Sequence, residues 1–266
     1  MNYLLSKAVT KPGWALRKTY LWGRSMATMR SSDVVFAFYP KTGSTWVRMV
    51  LYNLLAAKEG KAAGDLSFDA VDASMPEFAH PSFFTPAPFT SAPRLIKTHR
   101  PYLPVWKGKR AILTTRDPRD TMVSFLHYAN AKREFGFSGD LDDLLRHPDM
   151  GLDAYLRFYT SWRHRAGLIQ SYEALRTDPM KTFRGIVDFT GIDASDAEIE
   201  TALEASSIEK TRKAQQNSSE QFKSKFSEGF VFARKGSVGE GRTQFTEAQE
   251  AYLQDRIKHW GFDLYE

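Results

Sequence analysis

Val34-Val35-Phe36-Ala37-Phe38-Tyr39-Pro40-Lys41-Thr42-Gly43-Ser44-Thr45-Trp46 is the stretch whose reading decides the fold. Val34 to Tyr39 is an apolar run of strand length, and Val47, Val50, Leu51, Leu54 and Leu55 then recur at helical spacing. The loop between them faces the start of a helix, where backbone amides have no carbonyl partner and the helix dipole favours negative charge. Such a loop binds phosphate or sulfate. Gly43 permits close backbone approach, Thr42, Ser44 and Thr45 add hydroxyl donors, and Lys41 supplies a charge that can follow a bridging oxygen through reaction. A nucleotide P-loop needs Gly, four residues, then Gly-Lys-Ser/Thr; here Lys41 stands before the only glycine and Pro40 fills the loop entry, which disfavours a standard ATPase or GTPase.

Outward from this unit the pattern repeats. Arg94 to Thr98 and Ala111 to Thr115 read as strands, and Asp117-Pro118 starts a helix carrying Met122, Val123 and Leu126. A further strand is predicted around Leu168 to Tyr172, then a helix opened by Asp178-Pro179 and stopped by Gly191. Ser195 with Glu198, and Thr246 with Gln249, form capping boxes, the second opening a final helix that Gly261 stops. Strand and helix in alternation predict a single three-layer α/β domain over residues 1–266 with a central, mostly parallel sheet and binding loops at the strands' carboxyl ends. Three segments break the pattern. Residues 1–30 form a basic arm, 61–93 carry five prolines (Pro76, Pro81, Pro86, Pro88, Pro93) with Phe78, Phe83, Phe84 and Phe89, and 217–245 mix Ser, Lys, Phe and Gly without a period. We read the second as a structureless acceptor-pocket wall and the third as a flap.

The 266 residues carry 37 Lys and Arg against 31 Asp and Glu, a net charge of +6 that favours anionic partners without choosing among them. Without cysteine there is no disulfide framework and no thiolate metal site or nucleophile, which suits a reducing cytoplasm. No zinc-type His-Glu-x-x-His spacing and no carboxylate cluster for magnesium is recognisable, so no metal is expected. In the arm, Lys7, Lys11, Arg17, Lys18, Arg24 and Arg30 interrupt every apolar run, which argues against a secretory signal; its Trp and Leu content is compatible with a membrane surface or with packing on the domain.

A second anion-binding pattern, Arg116-Asp117-Pro118-Arg119-Asp120 leading to Ser124, again follows a strand and opens a helix, and Arg234-Lys235-Gly236 adds a basic group in the flap. Two such sites imply a ligand phosphorylated at both ends. With these blocks and Lys97-Thr98-His99 the chain resembles the cytosolic-type sulfotransferases that use 3′-phosphoadenosine 5′-phosphosulfate (PAPS) and release 3′-phosphoadenosine 5′-phosphate (PAP), as a bacterial-like member. Tyr39 to Trp46 is similar to their P-loop-like 5′-phosphosulfate loop, Arg116 to Asp120 with Ser124 to their 3′-phosphate motif, and Arg234-Lys235-Gly236 to their flap. The resemblance implies that Lys41, Thr42, Gly43, Ser44 and Thr45 hold the phosphosulfate, that Arg116, Ser124, Arg234, Lys235 and Gly236 hold the 3′-phosphate, and that Trp46 and Tyr172 bound the adenine. Ser206-Ser207-Ile208 takes the place of a Ser-Phe or Thr-Phe adenine contact, with Ile208 where the family has a ring. Arg242 stands where the family flap ends in Lys, and the dimerisation motif of animal members is not reproduced around Thr246-Glu247.

Sulfuryl transfer to a hydroxyl or amine needs a base at the attacking oxygen or nitrogen and a cation at the leaving phosphate. His99, just after a strand, is the expected base, since imidazole titrates near neutral pH. Lys41 is expected at the bridging oxygen, Lys97 at the sulfuryl oxygens, and Ser124 as a link between the two ends of the donor. The acceptor is expected to be a small molecule with an apolar body, framed by residues 76–93, the aromatic segment Tyr155 to Trp162, and the flap. A kinase-like phosphoryl transferase would need magnesium ligands, and a nucleic-acid-binding module would need a motif the sequence does not have.

Overall fold

The computed structural model describes residues 12–61, 66–84, 86, 88–233 and 236–263. Along the chain run α1 (Pro12–Ala27), β1 (Val34–Phe38), α2 (Ser44–Lys58), α3 (Phe68–Ser74), β2 (Leu95–Thr98), β3 (Arg110–Thr115), α4 (Pro118–Ala131), α5 (Leu141–Leu145) and α6 (Leu152–Trp162). They are followed by β4 (Leu168–Ser171), α7 (Tyr172–Thr177), α8 (Pro179–Thr190), α9 (Asp196–Glu204), α10 (Ile208–Gln216), α11 (Glu220–Lys223) and α12 (Glu247–Trp260). The four strands pair in parallel in the order β2-β1-β3-β4. This is the α/β fold the alternation predicted.

The sheet is buried on both faces, so β1 reads as a continuous apolar run instead of an alternating one. Side chains alternate across the pleat: Val35 and Ala37 join a core with α4, α6 and α12, while Val34, Phe36 and Phe38 join one with α2, α8 and α9. Those are the three layers. The register sets Ala37 opposite both Thr98 and Leu113, so the ends of β1, β2 and β3 lie together and the loops after them share one edge.

Four expectations are corrected. Residues 61–93 are not structureless: Ser67 accepts from Ala70 N to start α3, Pro81–Phe84 form a 3₁₀ turn, and residues 76–78 lie along β2, with Lys97 N donating to Pro76 O (3.0 Å) and Phe78 N to Lys97 O (2.9 Å). Phe78, Phe83 and Phe89 point into the cores and anchor the segment. Tyr155, Phe158, Tyr159 and Trp162 of α6 are likewise fully buried in the core and form no acceptor wall. Tyr172 does not end a strand, because Ser171 accepts from Ala174 N and turns the chain into α7. The flap region holds α11 and a 3₁₀ turn at Glu240–Thr243, and Phe222, Phe226 and Phe232 cluster with Phe68.

Of the basic arm, α1 packs on residues 76–84: Leu21 and Ser25 are buried, Ser25 Oγ accepts from Ala79 N, and Trp22 meets Phe78 edge-on at 5.4 Å. Its opposite side exposes Leu16 and Tyr20. No helix among the described residues is long and apolar enough to cross a membrane.

Candidate active site

The loop between β1 and α2 turns through two left-handed residues, Lys41 at φ 72° and Gly43 at φ 100°. For Lys41 this conformation is strained, costing on the order of 1–3 kcal/mol, and such strain collects at ligand clamps. Gly43 has a second reason to lack a side chain, since a Cβ there would stand 2.9 Å from the Tyr172 ring. Ser44, Thr45 and Trp46 open α2 with their amides at the helix start. Thr42 departs from its expected use as a hydroxyl donor: it is fully buried, and its Oγ1 donates to Tyr39 O (2.8 Å), holding the loop closed. The Lys41 ammonium lies over the rings of Tyr128 and Phe232, 5.3 and 5.7 Å from their centroids.

The second anion pattern stands beside the first. Arg116 is buried; its Nη1 donates to Lys41 O (3.1 Å), its Nη2 to Ser237 O (3.0 Å), and its guanidinium stacks on Tyr172 at 4.2 Å. Its Nε has no partner among the described residues although it is buried. A buried charged donor left unsatisfied is costly, and an oxygen brought to it would relieve that cost. Ser124, one helical turn beyond Asp120 on α4, faces the same cavity.

Asp120 has a use the sequence reading did not assign. Its carboxylate, 2% exposed, accepts from Gly239 N (2.8 Å) and Gly241 N (2.6 Å), and Oδ2 lies 3.6 Å from Arg116 Nη2. It therefore ties the Gly236–Gly241 stretch to the anion motif. Gly241 permits this approach, because a Cβ would meet the Arg119 backbone at 2.4 Å.

These groups line one cavity of about 590 Å³ that also receives Trp46, Tyr172, Ser206, Ile208 and Gly236. Ser206 is buried and bonded to Asn53 (2.9 Å) and Ala202 O (2.8 Å), so its hydroxyl secures the wall. Ile208 starts α10 and lies close to Gly236, whose hypothetical Cβ would be 3.2 Å from Ile208 Cδ1. Arg234 and Lys235 lie outside the described residues.

At the other end, His99 Nδ1 lies 2.7 Å from Phe38 O. A carbonyl only accepts, so Nδ1 carries the proton and Nε2 is the basic nitrogen. Burial, and next the Lys97 charge, push the imidazole down to about 4, so the ring is neutral at physiological pH. Lys97 is buried and pairs with Glu77 at 3.1 Å, a contact created by the short strand-like run at 76–78. Burial would raise the Glu77 pKa, but Lys97 and then His99 outweigh it, and the carboxyl is held well below its usual range. Glu77 had no motif around it, and only the backbone pairing with β2 brings it to Lys97.

A family model described as "Sulfotransferase domain" matches residues 31–263. The chain belongs to that family. Among curated relatives, Sulfotransferase 6B1 of Mus musculus is 28% identical over 241 residues, 86% of this chain and 76% of the relative. Sulfotransferase 4A1 of Rattus norvegicus is 26% identical over 190 residues, 66% of each chain. Among solved structures, mouse sulfotransferase SULT7A1 complexed with PAP superposes with a TM-score of 0.70 at 22% identity, covering 92% of this chain and 90% of that one. Retinol dehydratase in complex with androsterone and inactive cofactor PAP gives 0.67 at 21%, covering 90% and 83%. This sulfotransferase transfers a sulfuryl group from PAPS to an acceptor hydroxyl. The orphaned Arg116 Nε and the glycine-lined helix start fit the anionic ends of that donor.

Proposed function

We propose that this sulfotransferase works by in-line transfer with His99 as general base and Lys41 at the leaving phosphate. The observation that carries this reading is the His99 Nδ1–H bond to Phe38 O, which makes Nε2 the basic nitrogen of a residue lining the same cavity as the Lys41 loop. PAPS supplies an activated sulfuryl group on a phosphate leaving group. Lys41, Gly43, Ser44 and Thr45 hold the 5′ end through amides, hydroxyls and charge, with Thr42 keeping the loop in shape; Arg116, Ser124, Arg234, Lys235 and Gly236 take the 3′-phosphate. Trp46, Tyr172, Ser206 and Ile208 bound the base. His99 takes the acceptor's proton at Nε2, Lys41 follows the charge that develops on the bridging oxygen, and Lys97 assists at the sulfuryl oxygens. Residues 61–93 contribute the acceptor side and 217–245 the flap.

In location we read a cytoplasmic enzyme, since the cysteine-free chain needs no oxidising compartment. The exposed Leu16 and Tyr20 on α1, a helix with no acidic residue, support contact with a membrane surface.

Calorimetry with PAP, AMP and ATP plus magnesium tests the donor site. PAP is expected to bind far more tightly than AMP, and Arg116→Ala to weaken PAP by about 2 kcal/mol, roughly 30-fold in Kd, through loss of charge-assisted hydrogen bonds. Equal affinity for PAP and AMP would remove the 3′-phosphate site.

A further inference from the structure

With Phe78, Phe83 and Phe89 turned into the cores, these rings do not line the acceptor side of the cavity. Residues 72–82 present polar atoms to it instead. Asp72 pairs with the buried Arg48, Glu77 pairs with the buried Lys97, and His80 Nδ1 lies 2.9 Å from Ser82 Oγ, all of them lining the cavity. Burial would raise the Asp72 pKa, but Arg48 and then Lys97 hold it below the usual carboxylate range, so both pairs are ionised. The Asp72 and Glu77 side chains keep 40% and 36% of their surface, enough to offer oxygens to a ligand.

A different surface is aromatic. Phe68, Phe222 and Phe232 lie against one another with centroids 4.8–5.7 Å apart, Tyr128 approaches Phe232 at 5.8 Å, and all four line the same cavity. The cavity thus has one surface that stacks and another that exchanges hydrogen bonds.

We propose that the acceptor is a hydroxyl-rich molecule with one apolar face, of the glycoside class, and not a wholly apolar alcohol. This rests on the sulfotransferase reading of the cavity. Covering the two ion pairs with hydrocarbon strips water from the half-exposed Asp72 and Glu77 carboxylates and returns nothing. Sugar hydroxyls donate to these carboxylates in place of that water, and the apolar face of the ring or its aglycone rests on the half-buried Tyr128 and Phe232. Sites built to hydrogen-bond a hydroxyl discriminate strongly against analogues without it.

The test uses octyl β-glucoside and 1-octanol, which share an alkyl chain and a primary hydroxyl, with labelled PAPS and the full chain. The glucoside is expected to show a kcat/KM at least about 10-fold higher. In the paired variant Arg48→Met/Asp72→Leu, which replaces one ion pair by apolar groups, that ratio is expected to fall toward one with PAP affinity kept. Octanol turned over as well as the glucoside by the wild-type enzyme overturns the inference and leaves sulfuryl transfer standing; so does a folded, PAP-binding variant whose ratio has not moved. If the variant does not fold, the wild-type ratio decides alone. Failure to bind PAP together with no turnover of either acceptor overturns both readings.

Discussion

His99→Ala is expected to lower kcat by about 10²–10⁴-fold, the usual contribution of a general base, while PAP affinity stays nearly unchanged. The ring shares the cavity with the donor-binding groups, and its hydrogen bond is to Phe38 O, outside them. Its removal should therefore be read in the chemical step. A large loss of PAP affinity in this variant would refute the assignment.

The pH profile separates this role from a structural one. The base acts when neutral, and burial followed by Lys97 brings its pKa from 6.5 down to about 4. The acid limb of kcat/KM, which reports the free enzyme, should lie near pH 4, with activity lost only as pH falls through that value. Lys97 and Arg48 repel the imidazolium and Glu77 attracts it. Lys97→Met should thus raise the limb toward 6.5 and Glu77→Gln should lower it. An inflection that stays at 6.5 in the wild-type enzyme would contradict the buried neutral imidazole.

The second large effect is expected at Asp120. Asp120→Ala orphans the amides of Gly239 and Gly241 and takes the neighbouring carboxylate from the buried Arg116. Losing one partner of a buried ion pair costs about 3–5 kcal/mol, a large share of the stability of an ordinary domain. A Tm lower by about 10 °C and a weakened PAP site should appear together, since the same carboxylate ties Gly239 and Gly241 to the Arg116 motif. Asp120→Asn keeps one acceptor oxygen and should lose less. An unchanged Tm in the alanine variant would show that the Gly239–Gly241 stretch does not depend on this carboxylate.

Local physics made much of this legible. Val34 to Trp46 reads as strand, anion loop and helix because apolar period and helix-start chemistry act over a few residues, and the capping boxes at Ser195 and Thr246 form where the sequence places them. Ser171 was missed as a helix start because no acidic or amide residue follows at the third position of its cap, so its signal was a lone serine. That Phe78, Phe83 and Phe89 turn into the cores was not legible for a different reason. Phenylalanine has the same apolar character in a core and in a pocket, and composition alone does not say which way Phe78 or Phe83 turns.

By itself, then, the amino-acid order determined the parallel α/β architecture, the two anion motifs and the family, since each is encoded in short-range spacing. Only the tertiary structure decided that Glu77 meets Lys97, that Asp120 holds Gly239 and Gly241, and that Asp72, Glu77, His80 and Ser82 line the cavity. Those pairings join residues 20 to 121 positions apart, and what brings them together is sheet register and core packing, which no local pattern records.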